Sequence, residues 1–242
     1  CVSERFLCYL HSLLFTGAPK EFLVQKSRGG VEKMAAPGEL RDADVQVGSH
    51  VPPPWRDIPA YLSRFAKAYD PDRLSRPERL VAAAASHHRL LWIHPFLEGN
   101  GRVARLFTDF QLSCSGLDGY GLWTMSRGLA RREHEYKAML AGADAPRRGD
   151  YDGRGALSEK GLFAFCAFFL ETAKDQIQFM DGLLNLDAAR KNISLYCDMR
   201  TKGRLAGKKP LPKKAGRLLS HVFIHGRLAK GEVHQLLVVS ER

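Results

Sequence analysis

Thirteen residues from His94 to Leu106, HPFLEGNGRVARL, combine several residue types that could do chemistry at close spacing. The histidine is followed four positions later by Glu98, then by a Gly-Asn-Gly turn, and then by Arg102 and Arg105. Glycine takes up the backbone conformations with positive φ that tight turns need. The turn leads directly into a helical pattern, and the unpaired N–H groups and dipole at a helix start favour an anion.

The spacing of these residues indicates a phosphate site that also carries a metal ligand and a base. Arg102 and Arg105 are one helical turn apart, so they lie on the same side of the helix and can clamp an anion. Glu98 stands at the rim of the turn, where it could hold Mg²⁺, which takes one or two carboxylates plus phosphate oxygens. His94 lies across the loop as a candidate general base, since its ordinary pKa is ~6.5.

Each of these residues taken alone has a simpler interpretation. A single histidine beside an apolar stretch is usually structural, and a Gly-Asn-Gly turn usually only reverses the chain. Glu98 alone could be a solvated charge, and the two arginines an exposed helix face. The functional interpretation depends on their occurrence together, because a structural loop has no need of an anion cradle, a metal ligand and a base at once.

The composition of the chain is ordinary for a globular protein with a real core. Its 242 residues are 45% hydrophobic and 26% charged, enough for one domain or two modest ones. No apolar run approaches the ~20 residues of a membrane helix, so we expect no membrane partner. The five cysteines are scattered and form no CxxC pair, which disfavours a disulfide framework or zinc site and favours a cytoplasmic location. Because the chain starts at Cys1 rather than at Met, we expect it to be a piece of a longer protein.

The net charge of +11 is unevenly distributed along the chain. The stretch from Arg200 to Arg242 contains 11 Lys and Arg against 2 Asp and Glu, whereas the first 199 residues contain 26 against 24. This asymmetry predicts two modules joined by a linker. We place the first domain at residues 1–199, a basic linker at 200–217, and a truncated helix-turn-helix segment at 218–242.

Hydrophobic periodicity predicts an all-α fold for the first 199 residues, apart from one short hairpin. The helices are expected at residues 3–16, at 55–69, from a Ser75–Glu78 capping box to about residue 91, directly after the Gly-Asn-Gly turn, and from Ser158 to Leu184. A brief alternation within residues 44–51, followed by prolines, predicts an exposed hairpin or sheet edge. In the tail, helices are expected at about Leu218–Ile224 and Lys230–Leu237, and Ser240 would cap a third, recognition helix.

The motif His94-Pro-Phe-x-Glu98-Gly-Asn-Gly-Arg102-x-x-Arg105 resembles, without deviation, the signature of the Fic domain family, HxFx[D/E]GNGRxxR. A Leu-His pair near the start, the stretch GELRD…VG…PPP and the order of the helices extend the similarity over roughly residues 5–185. The resemblance implies the fold of that family, an all-α bundle with a short β-hairpin flap. Here it would be followed by a partial winged-helix or helix-turn-helix segment.

The resemblance also implies an activity, because Fic enzymes mostly transfer AMP from ATP to a Tyr, Ser or Thr hydroxyl of a target protein. ATP and Mg²⁺ would be the cofactors. His94 would take the proton from the attacking hydroxyl and Glu98 would hold Mg²⁺. The nucleotide-binding residues would be Gly99, Asn100 and Gly101, which form the anion hole, and Arg102 and Arg105, which bind the β- and γ-phosphates, with Arg105 on the γ-phosphate. The flap residues Val45, Gln46, Val47 and Gly48 would pair with an extended segment of the target.

Several alternatives remain open at this point. The same loop could remove AMP, and the basic tail favours a DNA-binding regulator that uses the Fic core as a sensor. DNA, through the full-length C-terminal module, and a second copy of the chain are further partner candidates. A metal site at His87, His88 and His94 is disfavoured, because adjacent helical residues point about 100° apart. The inhibitory motif of the family, [S/T]xxxE[G/N], is missing, since only Glu98 precedes Gly or Asn. We expect that motif upstream of Cys1 or in a separate protein.

Overall fold

The computed structural model describes residues 2–26, 32–117 and 121–238, and nearly all of its regular structure there is helical. Backbone contacts divide the chain into two units, Cys1–Ile177 and Gln178–Arg242. The all-α fold class is therefore confirmed. The assignment of domains to residues 1–199, 200–217 and 218–242 stays a prediction.

The first unit begins with α1 and a small antiparallel sheet, and helices follow. The elements are α1 (Glu4–Phe15), β1 (Val24–Lys26), β2 (Glu32–Met34), α2 (Ile58–Ala68), α3 (Arg76–Ile93), α4 (Asn100–Cys114), α5 (Met125–Arg131), α6 (Glu133–Asp144) and α7 (Glu159–Leu184). Short 3₁₀ turns lie at Lys20–Phe22, Trp55–Asp57 and Pro71–Arg73. The helix α7 continues past the boundary between the two units.

Local sequence signals account for the ends of α3, the helix that leads into the motif. Glu78 accepts a hydrogen bond from the backbone N–H of Ser75 at 2.8 Å, and the predicted capping box is present. The helix ends at Ile93, as predicted from Pro95, because a proline disfavours helical backbone in the residue before it.

Two apolar clusters pack around α3 and α4 and fix the path of both helices. The first joins them to α1 and α2 and includes Leu7, Leu10, Ile58, Leu62, Phe65, Leu90, Ile93, Phe96, Val103 and Phe107. The second joins them to α5, α6 and α7 and includes Ala83, Ala84, Leu112, Met125, Leu129, Ala143, Phe165 and Phe169. Phe96 of the motif is fully buried, so the loop between α3 and α4 is anchored in the core.

The structure corrects several details of the sequence-based expectations. The two-stranded sheet is formed by β1 and β2, with Val24 opposite Met34, in a region where the sequence predicted no strands. Residues 44–51 contain only a tight turn, in which Val47 and His50 exchange both backbone hydrogen bonds. The buried stripe of α7 ends near Gln176, and the side chain of Leu184 at the end of this helix is 53% exposed.

The second unit contains the end of α7 and three further helices. These are α8 (Leu186–Thr201), α9 (Ala215–His225) and α10 (Val233–Val238). The two predicted tail helices correspond to α9 and α10, whereas Ser240 and its recognition helix lie outside the described residues. No helix in the described part of the chain combines the length and hydropathy needed to cross a bilayer.

Buried histidines are a notable feature of the first unit. His11, His87 and His88 are at most 1% exposed, and burial is the main cause of a lowered pKa at each. For His87 the pKa falls to about 3. Its ring bonds to the Thr108 hydroxyl and to the Tyr136 hydroxyl, each at 2.8 Å, so a neutral ring is fully satisfied there.

These histidines should make the fold sensitive to mild acid. Their folded-state pKa values lie below the unfolded value of ~6.5, so the unfolded chain binds more protons as the pH falls. The free energy of unfolding is therefore highest above the unfolded-state pKa and falls as the pH drops below it. Between pH 7 and 5.5 we expect the free energy of unfolding to fall by about 1 kcal/mol through His87 alone, and His11 and His88 should act in the same direction.

Urea unfolding at a series of pH values measures this effect, above the range in which ordinary carboxylates titrate. The variant His134→Gln, which removes an exposed histidine of α6, is the matched control. A free energy of unfolding that is constant, or that rises toward pH 5.5, would contradict the prediction.

Candidate functional site

The motif loop turns the chain from α3 into α4 through two residues with left-handed backbone. His94 has φ +51° and is the one non-glycine residue with positive φ in the described part of the chain. Gly99, the N-cap of α4, has φ +81°. Left-handed backbone costs a non-glycine residue ~1–2 kcal/mol, so surrounding contacts must hold His94 in this conformation.

Asn100 closes the loop by bonding to the backbone of Phe96. Its side-chain oxygen accepts from the Phe96 N–H at 3.0 Å, and its side-chain amide donates to the Phe96 carbonyl at 2.8 Å. The Asn100 side chain is thus used inside the loop. What this residue can offer an anion is its backbone N–H, which lies in the first turn of α4, where N–H groups lack helical partners.

His11 on α1 binds the loop through the Glu98 carbonyl and the Phe96 ring. The N–H of Gly38 donates to Nδ1 of His11 at 2.8 Å, so the ring proton must be on Nε2, which donates to the Glu98 carbonyl at 3.2 Å. The ring also stacks on Phe96, with centroids 4.2 Å apart. Burial lowers the pKa of His11, which agrees with a neutral ring that accepts at one nitrogen and donates at the other.

The tight turn at residues 47–50, here called the flap turn, faces the motif loop between α3 and α4. A cleft of about 470 Å³ in the first unit separates them. All the site residues predicted from the sequence except Val45 line this cleft. The lining residues are Gln46, Val47, Gly48, His94, Glu98, Gly99, Asn100, Gly101, Arg102 and Arg105. Val45 is 6% exposed and belongs to the core instead. His50 ties the flap turn to the end of α3, since its Nε2 donates to the Trp92 carbonyl at 2.9 Å.

The charged side chains of the cleft are paired or held over the helix start. Nη2 of Arg102 lies 3.0 Å from Oε1 of Glu98, and the Arg102 guanidinium sits 4.5 Å above the ring of Phe15. Arg105 folds back toward the turn, with Nη1 3.3 Å from where a Cβ of Gly101 would be. Two guanidinium groups therefore flank the start of α4, where an anion is also favoured by the helix dipole.

The environment of His94 keeps its imidazole neutral at pH 7. Burial lowers the pKa of His94 to about 4, and the neighbouring Arg41 and His50 act in the same direction. A hydrogen bond with the Leu91 backbone and the charge of Glu98 oppose this shift without reversing it. A neutral imidazole can accept a proton, as a general base must.

Two residues that shape the cleft were not singled out from the sequence, His11 and Arg41. Arg41 is 2% exposed, and its Nε donates to the His94 carbonyl at 2.8 Å. Arg41 lies in the stretch GELRD that carried part of the resemblance, but neither periodicity nor charge marks it as buried. No cluster of three His, Cys, Asp or Glu suited to a metal occurs among the described residues.

The profile of the Fic/DOC family matches residues 1–112, which contain the flap turn, the motif loop and nearly all of α4. Residues 1–112 form a Fic/DOC family domain. This match includes every element that lines the cleft.

Curated relatives of this Fic/DOC domain include the protein adenylyltransferase Fic of Drosophila erecta, 37% identical over 79 residues, and that of Drosophila ananassae, 38% identical over 79 residues. Each alignment covers 33% of this chain and only 16% of the relative.

Solved structures that are similar include a Fic domain containing signaling protein from Bacteroides thetaiotaomicron, with 20% identity and a TM-score of 0.45 over 76% of this chain and 61% of that one. Another is a Fic family protein from Desulfovibrio desulfuricans, with 18% identity and a TM-score of 0.49 over 97% and 60%.

Gly99 should be intolerant of any side chain, for two separable reasons. Its φ of +81° disfavours a Cβ, and a Cβ there would also collide with the ring of Phe15. Gly17 has the same φ but open space around it, so Gly17→Ala measures the backbone cost alone. We expect Gly99→Ala to lower the free energy of unfolding by at least about 1 kcal/mol more than Gly17→Ala does.

Thermal or urea unfolding of both variants provides the measurement. In a Phe15→Ala background, Gly99→Ala should cost less than it does in the wild type, because the ring that the new Cβ meets is then absent. Equal destabilisation by the two alanine substitutions would show that Phe15 does not restrict this position.

Proposed function

We propose that this protein is a protein adenylyltransferase that transfers AMP from ATP to a hydroxyl side chain of a target protein. The observation that carries the proposal is the single cleft in which a neutral His94, the start of α4 and two arginines lie together. The match to the Fic/DOC family and the similarity to the Drosophila protein adenylyltransferases support it further.

In the proposed reaction the target hydroxyl oxygen attacks the α-phosphorus of ATP. A new oxygen–phosphorus bond forms, the bond from the α-phosphorus to its bridging oxygen breaks, and pyrophosphate leaves. Nε2 or Nδ1 of His94 accepts the hydroxyl proton, since the ring is neutral at pH 7. The first turn of α4 and the guanidinium groups of Arg102 and Arg105 hold the phosphates and stabilise the charge that develops on them.

Glu98 fits a Mg²⁺ ligand, although it is paired with Arg102 in the structure. Its side chain is 28% exposed at the cleft, which leaves room for the water and phosphate oxygens that Mg²⁺ retains. When bound, Mg²⁺ would neutralise phosphate charge. In this proposal Arg102 exchanges Glu98 for a phosphate oxygen once the nucleotide is present.

The flap turn is the proposed docking site for the target. Val47 is 43% exposed, and the Gln46 side chain donates to the Gly48 carbonyl at 3.0 Å, which stiffens the turn. An extended target segment that bonds to this backbone would bring its hydroxyl to the rim of the cleft, facing His94. Removal of AMP at the same site and a DNA-binding regulator that uses the Fic core as a sensor remain the alternatives to this proposal.

The variant His94→Ala should abolish transfer but leave ATP affinity within a few-fold, because His94 is assigned to proton removal and not to phosphate binding. Transfer is measured as protein-bound label after incubation of a cell lysate with ATP that carries the label in its adenosine part. Affinity is measured by isothermal titration. A large loss of ATP affinity would mean that His94 has another role, and retained ATP binding without label from the wild type would favour the sensor alternative.

The variant Arg105→Ala should weaken the binding of ATP more than that of AMP. Arg105 is one helical turn beyond the start of α4, so it is assigned to the far phosphates, which AMP lacks. Loss of one charge-assisted contact should cost ATP ~1.5–3 kcal/mol. AMP is the internal control for damage to the fold, and equal weakening of both nucleotides would overturn the assignment.

A further inference from the structure

Arg41 is a buried arginine whose three guanidinium nitrogens each donate to a backbone carbonyl group. Its side chain is fully buried, Nε donates to the His94 carbonyl at 2.8 Å, Nη1 donates to the Ala43 carbonyl at 2.9 Å, and Nη2 donates to the Pro53 carbonyl. The nearest carboxylate, Asp44, is 3.7 Å from Nη1 and 59% exposed. Burying a charge is costly unless it is hydrogen-bonded, so this arrangement needs all its carbonyl partners.

On one side Arg41 binds the motif loop at His94, the residue with left-handed backbone. The backbone N–H of Arg41 bonds to the Pro95 carbonyl at 2.9 Å, next to the His94 carbonyl that its side chain binds. Two successive carbonyl groups of the loop are thus directed at one residue. These bonds oppose relaxation of His94 from its left-handed backbone, and so they fix where the imidazole points.

On the other side Arg41 holds the base of the flap. Ala43 and Pro53 lie on the two arms that lead into and out of the turn at residues 47–50, and the guanidinium spans both. The arms are tied once more by the Trp55 N–H, which donates to the Asp44 carboxylate at 2.9 Å. A planar guanidinium can bond to three carbonyls in three fixed directions, whereas a lysine ammonium is a point charge on a flexible stem.

We propose that Arg41 is a positioning residue that couples the flap to the motif loop. Its side chain fixes the position of the target-docking turn relative to the His94 imidazole. The proposal rests on the proposed function of the cleft. Arg41 contacts no reacting atom in it. Its effect passes through the carbonyls of His94, Ala43 and Pro53.

The test compares Arg41→Lys and Arg41→Gln with a matched control, Arg79→Gln. Arg79 also donates to two backbone carbonyls, those of Leu74 at 3.0 Å and Cys114 at 3.2 Å, but it lies at the opposite end of α4 from the cleft. A displacement of about 1 Å in a site can cost ~10²-fold in rate. We expect Arg41→Lys to lower the maximal rate of label transfer from ATP by about that factor, with Arg41→Gln at least as impaired.

The half-saturating ATP concentration should change little in the Arg41 variants, because the start of α4 and its arginines are untouched. Arg79→Gln should retain the wild-type maximal rate. A wild-type rate for Arg41→Lys would overturn the proposal. So would a loss of rate in the Arg41 and Arg79 variants that simply follows their loss of stability.

A second readout does not depend on transfer. In Arg41→Lys, the backbone amide NMR signals of Val47 and His94 should both shift, and in Arg79→Gln neither should. A shift confined to one of the two sites would overturn the coupling even if the enzyme were active. Conversely, absence of transfer from the wild type with both signals shifted would overturn the proposed function and leave the coupling supported.

Discussion

The turn from α3 into α4 depends on hydrogen bonds to backbone groups that would otherwise be buried without partners. Within a few residues the chain leaves one core helix, places Phe96 in the core and begins a second core helix. Asn100 satisfies both backbone groups of Phe96, His11 binds the Glu98 carbonyl, and Arg41 binds the His94 carbonyl. An unpaired buried polar group costs ~1–3 kcal/mol, so losing any of these partners would favour a different loop.

The chemistry proposed for the cleft follows from this constraint. Because α3 and α4 are fixed by two apolar clusters, the loop between them has few ways to close, and the left-handed backbone of His94 is one of them. That backbone places the imidazole where burial and the neighbouring charge of Arg41 keep it neutral. The same turn opens α4 at Asn100, which places an anion-favouring helix start in the same cleft.

Much of this arrangement could be predicted from the sequence, because its signals are local. The capping box at Ser75, the proline after His94 and the stripe of apolar residues on α2 predicted helix positions that the structure confirms. Ten predicted site residues line one cleft, seven of them between His94 and Arg105 and three in or next to the flap turn. Their roles in catalysis stay predictions.

What the sequence did not predict depends on contacts between distant segments. Nothing near Arg41 or His11 shows that their side chains are buried against residues more than fifty positions away. Val45 was assigned to the flap because it alternates with Val47, yet its side chain belongs to the core. The strands β1 and β2 are three residues each, too short for a periodic pattern to stand out.

The central claim is that the cleft holds the terminal phosphates of ATP and directs the α-phosphorus to the attacking hydroxyl. Parallel reactions with ATP labelled at the α-phosphate and with ATP labelled at the γ-phosphate, each followed by removal of free nucleotide, test it most directly. The account predicts protein-bound label from the α-phosphate and none from the γ-phosphate. Label from the γ-phosphate alone would mean that the nucleotide binds in the opposite sense, and it would contradict the roles given to Arg102 and Arg105.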